Sequence, residues 1–309
     1  MNFKKPFFSV VIPLYNKEAY IADTLKSVLT QSFQDFEVII MNDGSTDNSL
    51  NIVHSFSDNR IKIISTVNGG VSSARNLGIK GAQCDYIALL DADDLWEPAY
   101  LEEMYNLISR FPGCGFYASA YKVIEHNKVF VECNKVPEGI IENYFKTEIA
   151  YHITRLSATV IRAAVFEQVG GFPIGMVSGE DSYFCSLIAI NHPIAFTPKT
   201  LVTYNKISNG LIQRKYKIDD CSESWFDLYE EGNFYRNEFV AYKALKSGIR
   251  NALVGSHKNR NIQIERCAKY TKLFKGKWIY LFLLNRLPYP GIILFKKIKP
   301  LYSIIKSIF

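Results

Sequence analysis

Histidine is sparse in this 309-residue chain and cysteine is scattered, and both shortages narrow what it can do. The five histidines, at 54, 126, 152, 192 and 257, do not cluster at the spacings a zinc site uses. For His152 a structural role is expected, the alternative being that it lines a cleft. The six cysteines, at 84, 114, 133, 185, 221 and 267, contain no CxxC pair, which excludes a zinc ribbon and points to thiols in a reducing compartment. No run approaches the roughly 20 apolar residues that a membrane-crossing helix needs. The opening MNFKKPFFSVVIPLYN sets a basic pair before an apolar run, but Pro13 breaks that run and no small-residue cleavage site follows. A cytoplasmic start is expected. Acid is what the last seventy residues lack. Phe239 to Phe309 holds 15 Lys and Arg against Glu265 alone, which leaves 21 basic and 29 acidic residues for the remainder. A mildly acidic body thus joins a basic tail, and different partners are expected for each.

What is present is an ordinary globular composition, 48% apolar and 21% charged, enough for one large domain or two small ones. Short apolar runs at Phe8–Ile12, Phe36–Ile40, Arg60–Ile64 and Tyr86–Leu90 read as strands. They alternate with helical spacing at Ile21, Leu25, Val28 and Leu29 and over Val71–Gly81. This alternation predicts an α/β fold with a mostly parallel central sheet and helices on both faces. Further strands are expected within 114–121, 129–133 and 157–161, with helices near 163–169 and 182–190. After about residue 215 the pattern turns helical and basic. The expected division is 1–215 and 216–309.

Ligands of such sheets bind beyond the carboxyl ends of the strands, and polar clusters fall there. Asp91, Asp93 and Asp94 follow the apolar run YIALL. Carboxylates so close repel one another unless water or a cation covers them. An Asp-x-Asp at a strand end offers oxygen ligands suited to Mg²⁺ or Mn²⁺ shared with substrate phosphates; the alternative is a solvated turn that caps the next helix. Asn42-Asp-Gly-Ser-Thr-Asp47 reads either as a turn or as a site where Asp43 accepts from a base N–H or a ribose hydroxyl. Asn68–Asn76 is glycine-rich but lacks the GK[ST] of a phosphate-cradling loop. Its Arg75 is either a cation near phosphates or a surface ion pair. Glu180 and Asp181 precede an amphipathic run, where both can act as helix caps.

Five blocks in order resemble glycosyltransferase family 2 of the GT-A fold: SVVIPLYN (9–16), IIMNDGSTDNS (39–49), NGGVSSARNLGI (68–79), YIALLDADDLWEP (86–98) and GGFPIGMVSGEDSYFCSLIA (170–189). The resemblance implies a Rossmann-like sheet, a nucleotide-diphospho-sugar donor, most often UDP-linked, and a glycan or lipid-linked acceptor. By position, Pro13, Tyr15 and Asp43 match residues around the nucleobase and ribose, and Arg75 a position near the nucleotide. Asp91 and Asp93 match the motif holding ribose and the divalent metal, Mn²⁺ or Mg²⁺. Asp181 matches the general base, while Glu180 and Asp94 are expected beside acceptor or donor sugar. One base and one displacement imply inversion at the anomeric carbon.

The chain departs from its relatives in places. Many carry a histidine after the last sheet strand, but Val202–Gly210 has none; Asn205 or Asn209 are the alternatives. The Gln/Arg-x-x-Arg-Trp motif of processive synthases is absent, so a single or short addition is expected. The tail over 275–309 mixes lysine with bulky apolar residues, which suits an anionic membrane surface or a helical layer packed on the protein. A peripheral location at the inner face of the cell membrane follows from the first. No motif supports nucleic acid as a partner. The competing function is a catalytically silent nucleotide-sugar-binding or assembly protein of the same fold; a nucleotidyltransferase would need a GGxGTR-like entry loop, absent here.

Overall fold

The computed structural model describes residues 5–125, 128–176, 178–206, 222–253 and 258–287. Its strands are β1 (Phe8–Leu14), β2 (Phe36–Asp43), β3 (Ile61–Thr66), β4 (Tyr86–Leu89), β5 (Leu95–Trp96), β6 (Phe116–Glu125), β7 (Lys128–Glu132), β8 (Gly139–Ile140), β9 (Thr159–Arg162) and β10 (Ile194–Asn205). The helices are α1 (Ile21–Leu29), α2 (Ser49–His54), α3 (Val71–Lys80), α4 (Tyr100–Arg110), α5 (Tyr144–Tyr151), α6 (Ala163–Val169), α7 (Glu180–Asn191), α8 (Phe234–Leu253), α9 (Lys258–Cys267) and α10 (Lys275–Arg286). Two compact units divide the chain. The first comprises 1–174 and 180–210, the second 175–179 and 211–309.

The first unit is an α/β body on one sheet, ordered β3-β2-β1-β4-β9-β6-β10-β5, with β7 on β6 and β8 on β10. Every residue of β2 is buried, and all of β1 but Pro13. Because neighbouring strand residues point to opposite faces, that pattern requires cover on both. β3-β2-β1-β4 is parallel. The sheet then becomes mixed: β9 runs antiparallel to β4 and to β6, while β6 and β10 are parallel. The mostly parallel arrangement expected from the sequence therefore describes the β3-to-β4 half. Helix α3 lies close on β1, where a Cβ on Gly78 would stand 2.6 Å from Val11 Cγ1.

The second unit packs α8, α9 and α10 with a 3-10 turn over Ser222–Leu228 around Trp225, Phe239, Leu245, Ile264, Leu281 and Leu284. Within it, Glu238 is buried and accepts from Thr271 Oγ1 and from the Lys272 and Leu273 amides. Tyr280, Leu281 and Leu284 of α10 are buried in this cluster, so residues 275–286 form part of a packed helical layer. Residues 288–309 of the basic tail lie outside the described residues. Among the described residues, no helix is long and apolar enough to cross a membrane.

Candidate active site

The carboxyl ends of β1, β2 and β4 fall on one edge because these strands are parallel and in register, Leu14 opposite Asn42 and Val11 opposite Leu89. Tyr15 leaves β1 half exposed. Asn16 follows at φ 50°, a left-handed conformation that asparagine tolerates better than most residues. Its Oδ1 accepts from the Thr46 amide at 2.8 Å, tying the loop after β1 to the loop after β2. Within the second loop the Ser45 amide donates to Asn42 Oδ1 and the Ser49 amide to Asp47 Oδ1. The turn chemistry expected of this stretch is therefore present, and Asp43 stands apart from it. Asp43 is buried, and its two oxygens accept from the amides of Gly69 and Gly70 at 2.7 and 2.9 Å. Gly70 has φ 85°, a conformation that favours glycine, while a Cβ on Gly69 would meet Ser73 Oγ at 2.8 Å and oblige that side chain to move.

Past β4 the three aspartates part company. Asp91 keeps about a third of its side chain exposed, at 32%, and accepts from Arg75 Nη2 at 2.7 Å. Asp93 pairs with Lys17 Nζ through Oδ2. Burial pushes its carboxyl above the ordinary range; Lys17 pulls it down and Asp91 raises it again. Asp94, expected beside a sugar, has 0% exposure. Its oxygens accept from Ser157 Oγ and, at 3.1 Å, from the Asn205 amide. In this structure Asp94 is thus a brace joining the β4 loop to β10 and to the turn before β9. Burial first, then the charges of Asp91 and Asp93, hold its carboxyl well above the usual carboxylate range. Asn205 is a second brace: its side-chain amide donates to the Asp93 carbonyl at 2.8 Å. Asn209 lies outside the described residues.

Arg75 draws the distant block to this cluster. Its second nitrogen, Nη1, donates to Glu180 Oε1 at 3.2 Å across 105 positions of sequence. The guanidinium is a buried strut between Asp91 and Glu180 rather than a surface pair. Burial alone would lower its pKa, but the two carboxylates outweigh that and hold it above the ordinary arginine value. Asp181 opens α7 beside Glu180, partly exposed, and accepts from its neighbour Ser182's amide at 2.7 Å. Both carboxylates thus stand in the first turn of α7, where negative charge suits the helix dipole, while Glu180 reaches Arg75.

Sequence reasoning missed Lys17, Ser157 and Arg155. Lys17 directly follows the SVVIPLYN block and was within reach of a spacing argument; Arg155 and Ser157 precede a four-residue strand with no pattern to flag them. The Arg155 guanidinium lies 4.2 Å from the Tyr204 ring centroid and 5.2 Å from that of Tyr121. Its Nε is buried without a hydrogen-bond partner. Asp181 lies within electrostatic reach of both Arg75 and Arg155. His152 sits at the left-handed end of α5, where its carbonyl accepts from Tyr121 Oη at 3.0 Å, a structural contact.

Among the described residues no three His, Cys, Asp or Glu side chains assemble as a metal cage. Mg²⁺ bound by one or two carboxylates with substrate phosphates and water needs none, and Asp93 with Asp91 supplies hard oxygen donors of that kind.

The chain is 31% identical over 231 residues to the glycosyltransferase GlyA of Streptococcus pneumoniae, covering 70% of this chain and 32% of GlyA. It is 30% identical over 225 residues to the uncharacterized glycosyltransferase EpsJ of Bacillus subtilis, covering 69% of this chain and 64% of EpsJ. The chain thus spans about a third of one relative and just under two thirds of the other. Its fold is that of Staphylococcus aureus TarS 1–349. The TarS complex with UDP aligns at TM-score 0.68 and 20% identity, over 93% of this chain and 90% of that one. The TarS complex with UDP-GlcNAc aligns at 0.61 and 22%, over 89% and 79%. The sequence model for Glycosyl transferase family 2 matches residues 9–169. With more than half of its residues matched in this way, the chain belongs to glycosyl transferase family 2.

Proposed function

We propose that the protein transfers a sugar from a uridine-diphospho-sugar to a hydroxyl of a glycan or lipid-linked acceptor, by a single inverting displacement and without processive extension. The observation that carries this reading is the Asp91–Arg75–Glu180 bridge, which fixes the start of α7, and with it Asp181, beside the acidic edge of the sheet. The solved TarS complexes with UDP and UDP-GlcNAc support the choice of donor.

In this mechanism Asp181 takes the proton of the acceptor hydroxyl as its oxygen attacks the anomeric carbon, a role that contributes typically ~10²–10⁴-fold. Arg75 is a positioning residue that holds Glu180 and Asp91 apart from one another's charge. Pro13, Tyr15 and the Asp43 loop receive base and ribose, and Glu180 faces the sugars. Asp93 with Asp91 would hold Mn²⁺ or Mg²⁺, which when bound neutralises charge on the leaving diphosphate. Arg155, stacked between two tyrosines, provides a fixed cation near Asp181 for the same developing charge.

The test is a pair of measurements on Asp181→Asn. Stabilisation by UDP with Mn²⁺ in a thermal-shift titration should match the unaltered protein, while sugar transfer falls by about 10²-fold or more. Unchanged transfer removes Asp181 as the base. No stabilisation of either protein by UDP removes the donor, and a catalytically silent scaffold becomes the better reading. An anionic membrane partner for the basic tail is a separate proposal, checked by flotation with anionic liposomes after deletion of residues 288–309; undiminished flotation sinks it.

A further inference from the structure

Helix α10 is packed along one side. Tyr280, Leu281 and Leu284 are buried in the second unit, with Gly276 and Asn285 beside them. The opposite arc carries Lys275, Trp278, Ile279, Phe282, Leu283 and Arg286, spaced at i, i+3, i+4, i+7, i+8 and i+11, so they share one helix face. The outward face of a helix packed in this way is ordinarily polar. Here it is apolar along its middle, with a cation at each end, and Ile279 and Leu283 are 37% and 44% exposed. The stripe continues beyond the helix. Lys275 Nζ donates to the Lys269 carbonyl at 3.3 Å, which brings the preceding turn to the start of the stripe. In that turn Tyr270 is 82% exposed, and Leu273 follows at 51%.

The charge beside this stripe is not neutralised by the helices that carry it. Their two acids, Glu238 and Glu265, are buried and engaged. Glu238 accepts from Thr271 Oγ1 and the Lys272 and Leu273 amides, and Glu265 from Asn285 and Arg286. Among the described residues Lys269, Lys272, Lys275 and Lys277 pair with no carboxylate. Lys275 Nζ instead stands 4.4 Å from the Trp278 ring centroid. An anionic lipid surface meets both halves of this pattern: apolar side chains enter the acyl boundary while lysines stay at the level of the phosphates. A second copy of the chain would set cations against cations. Residues 288–309 carry the same mixture, lysine among Ile, Leu, Phe and Tyr with no acid. We propose that the outer face of α10, with the turn before it, docks on an anionic phospholipid bilayer. The proposal rests on the membrane reading of the basic tail for its partner, and it moves the contact from residues 288–309 to a packed helix.

The experiment is flotation of the full chain with phosphatidylglycerol vesicles, against phosphatidylcholine controls. The unaltered protein is compared with Ile279→Asn/Leu283→Asn, with Lys272→Gln/Lys275→Gln and with the chain lacking residues 288–309. The substituted side chains are all exposed, so melting temperatures should hold while partitioning falls tenfold or more in each double variant. Trp278 supplies a second readout. Trp96 and Trp225 are buried, so brominated phosphatidylglycerol should quench the emission of Trp278, and the quenching should vanish in Trp278→Phe. A chain lacking 288–309 that still floats, with Trp278 still quenched, supports the α10 face. Double variants that float like the unaltered protein, or bound protein whose Trp278 emission is unquenched, overturn it; if deletion of 288–309 abolishes flotation in that case, the tail reading stands without it. Equal flotation on phosphatidylcholine overturns the anionic partner, and no flotation of the unaltered protein overturns both readings.

Discussion

Replacing Arg75 with methionine should unsettle the first unit more than any other single change at its candidate site. The guanidinium side chain is 5% exposed and its partner Glu180 is 7% exposed. The substitution removes the cation from which Glu180 Oε1 accepts and leaves that carboxylate in a dry setting. Breaking a buried pair by deleting one partner costs about 3–5 kcal/mol. Asp91, open to water over a third of its side chain, contributes less to that loss. At ~2–4 °C per kcal/mol for a unit of this size, the melting temperature should fall by ~6–20 °C. The decisive measurement is a double-mutant cycle with Glu180→Gln, by urea unfolding at constant m value. Removing the Glu180 charge should restore ~1–3 kcal/mol to Arg75→Met, although Glu180→Gln by itself destabilises. If Arg75→Met costs less than ~1 kcal/mol, or Glu180→Gln restores nothing to it, the pair behaves as a solvated one and the buried strut is refuted.

Four further outcomes follow from particular contacts. Asp94 has a folded-state pKa raised above the ordinary aspartate value of 3.8, so the folded chain binds that proton before the unfolded chain does, and stability contributed through Asp94 grows as pH falls from the raised value toward 3.8. The stability gap between the unaltered protein and Asp94→Asn should therefore shift in favour of the former on acidification from about pH 7 to about pH 5; parallel profiles would refute a buried charge there. Lys17→Met removes a cation competing for Asp93 and should tighten Mn²⁺ binding in the presence of UDP by about fivefold, taking the pair at ~1 kcal/mol; weaker binding in a spin-resonance titration would argue that Lys17 serves the metal site. Gly78→Ala should cost ~1–3 kcal/mol through the clash with Val11, and Val11→Ala in the same chain should recover part of it in thermal melts. Arg155→Met should leave stability within ~1 kcal/mol or improve it, since a cation with an unsatisfied buried nitrogen is lost, yet lower transfer about tenfold or more. Undiminished transfer would leave Arg155 as packing alone.

The parallel half of the sheet was legible because its signals are local. β1, β2, β3 and β4 are short apolar runs that begin within a residue of where the pattern places them, and each ends in a polar cluster. Beyond residue 114 the local signal weakens. β9 has four residues, and β10 contains Pro198 with register shifts between Thr197, Thr200 and Val202, so no clean alternation marks it. At the site, residue types at strand ends gave the neighbourhood, but burial decided the roles. Asp91, Asp93 and Asp94 are nearly equivalent in sequence, whereas in the fold one faces Arg75, one Lys17 and one is sealed behind Ser157 and Asn205. Arg75 could be named from its motif, but its partner 105 residues away could not.

The brief return of Gly175–Gly179 to the second unit constrains how such a protein can be recombined. The stretch matched by the family model ends at residue 169, so a natural exchange of C-terminal halves between relatives would break near that point or after residue 210. A break after 210 strands the five-residue loop: Ser178 keeps its place in one parent while Arg250, which grips it, arrives from another. Hybrids of that kind should express and fold their sheet, yet hold the chain just before Asp181 loosely. Junctions that carry 170–179 with the helical unit keep lock and key from the same lineage, and a library of chimaeras sorted by activity should show that preference in where its crossovers survive.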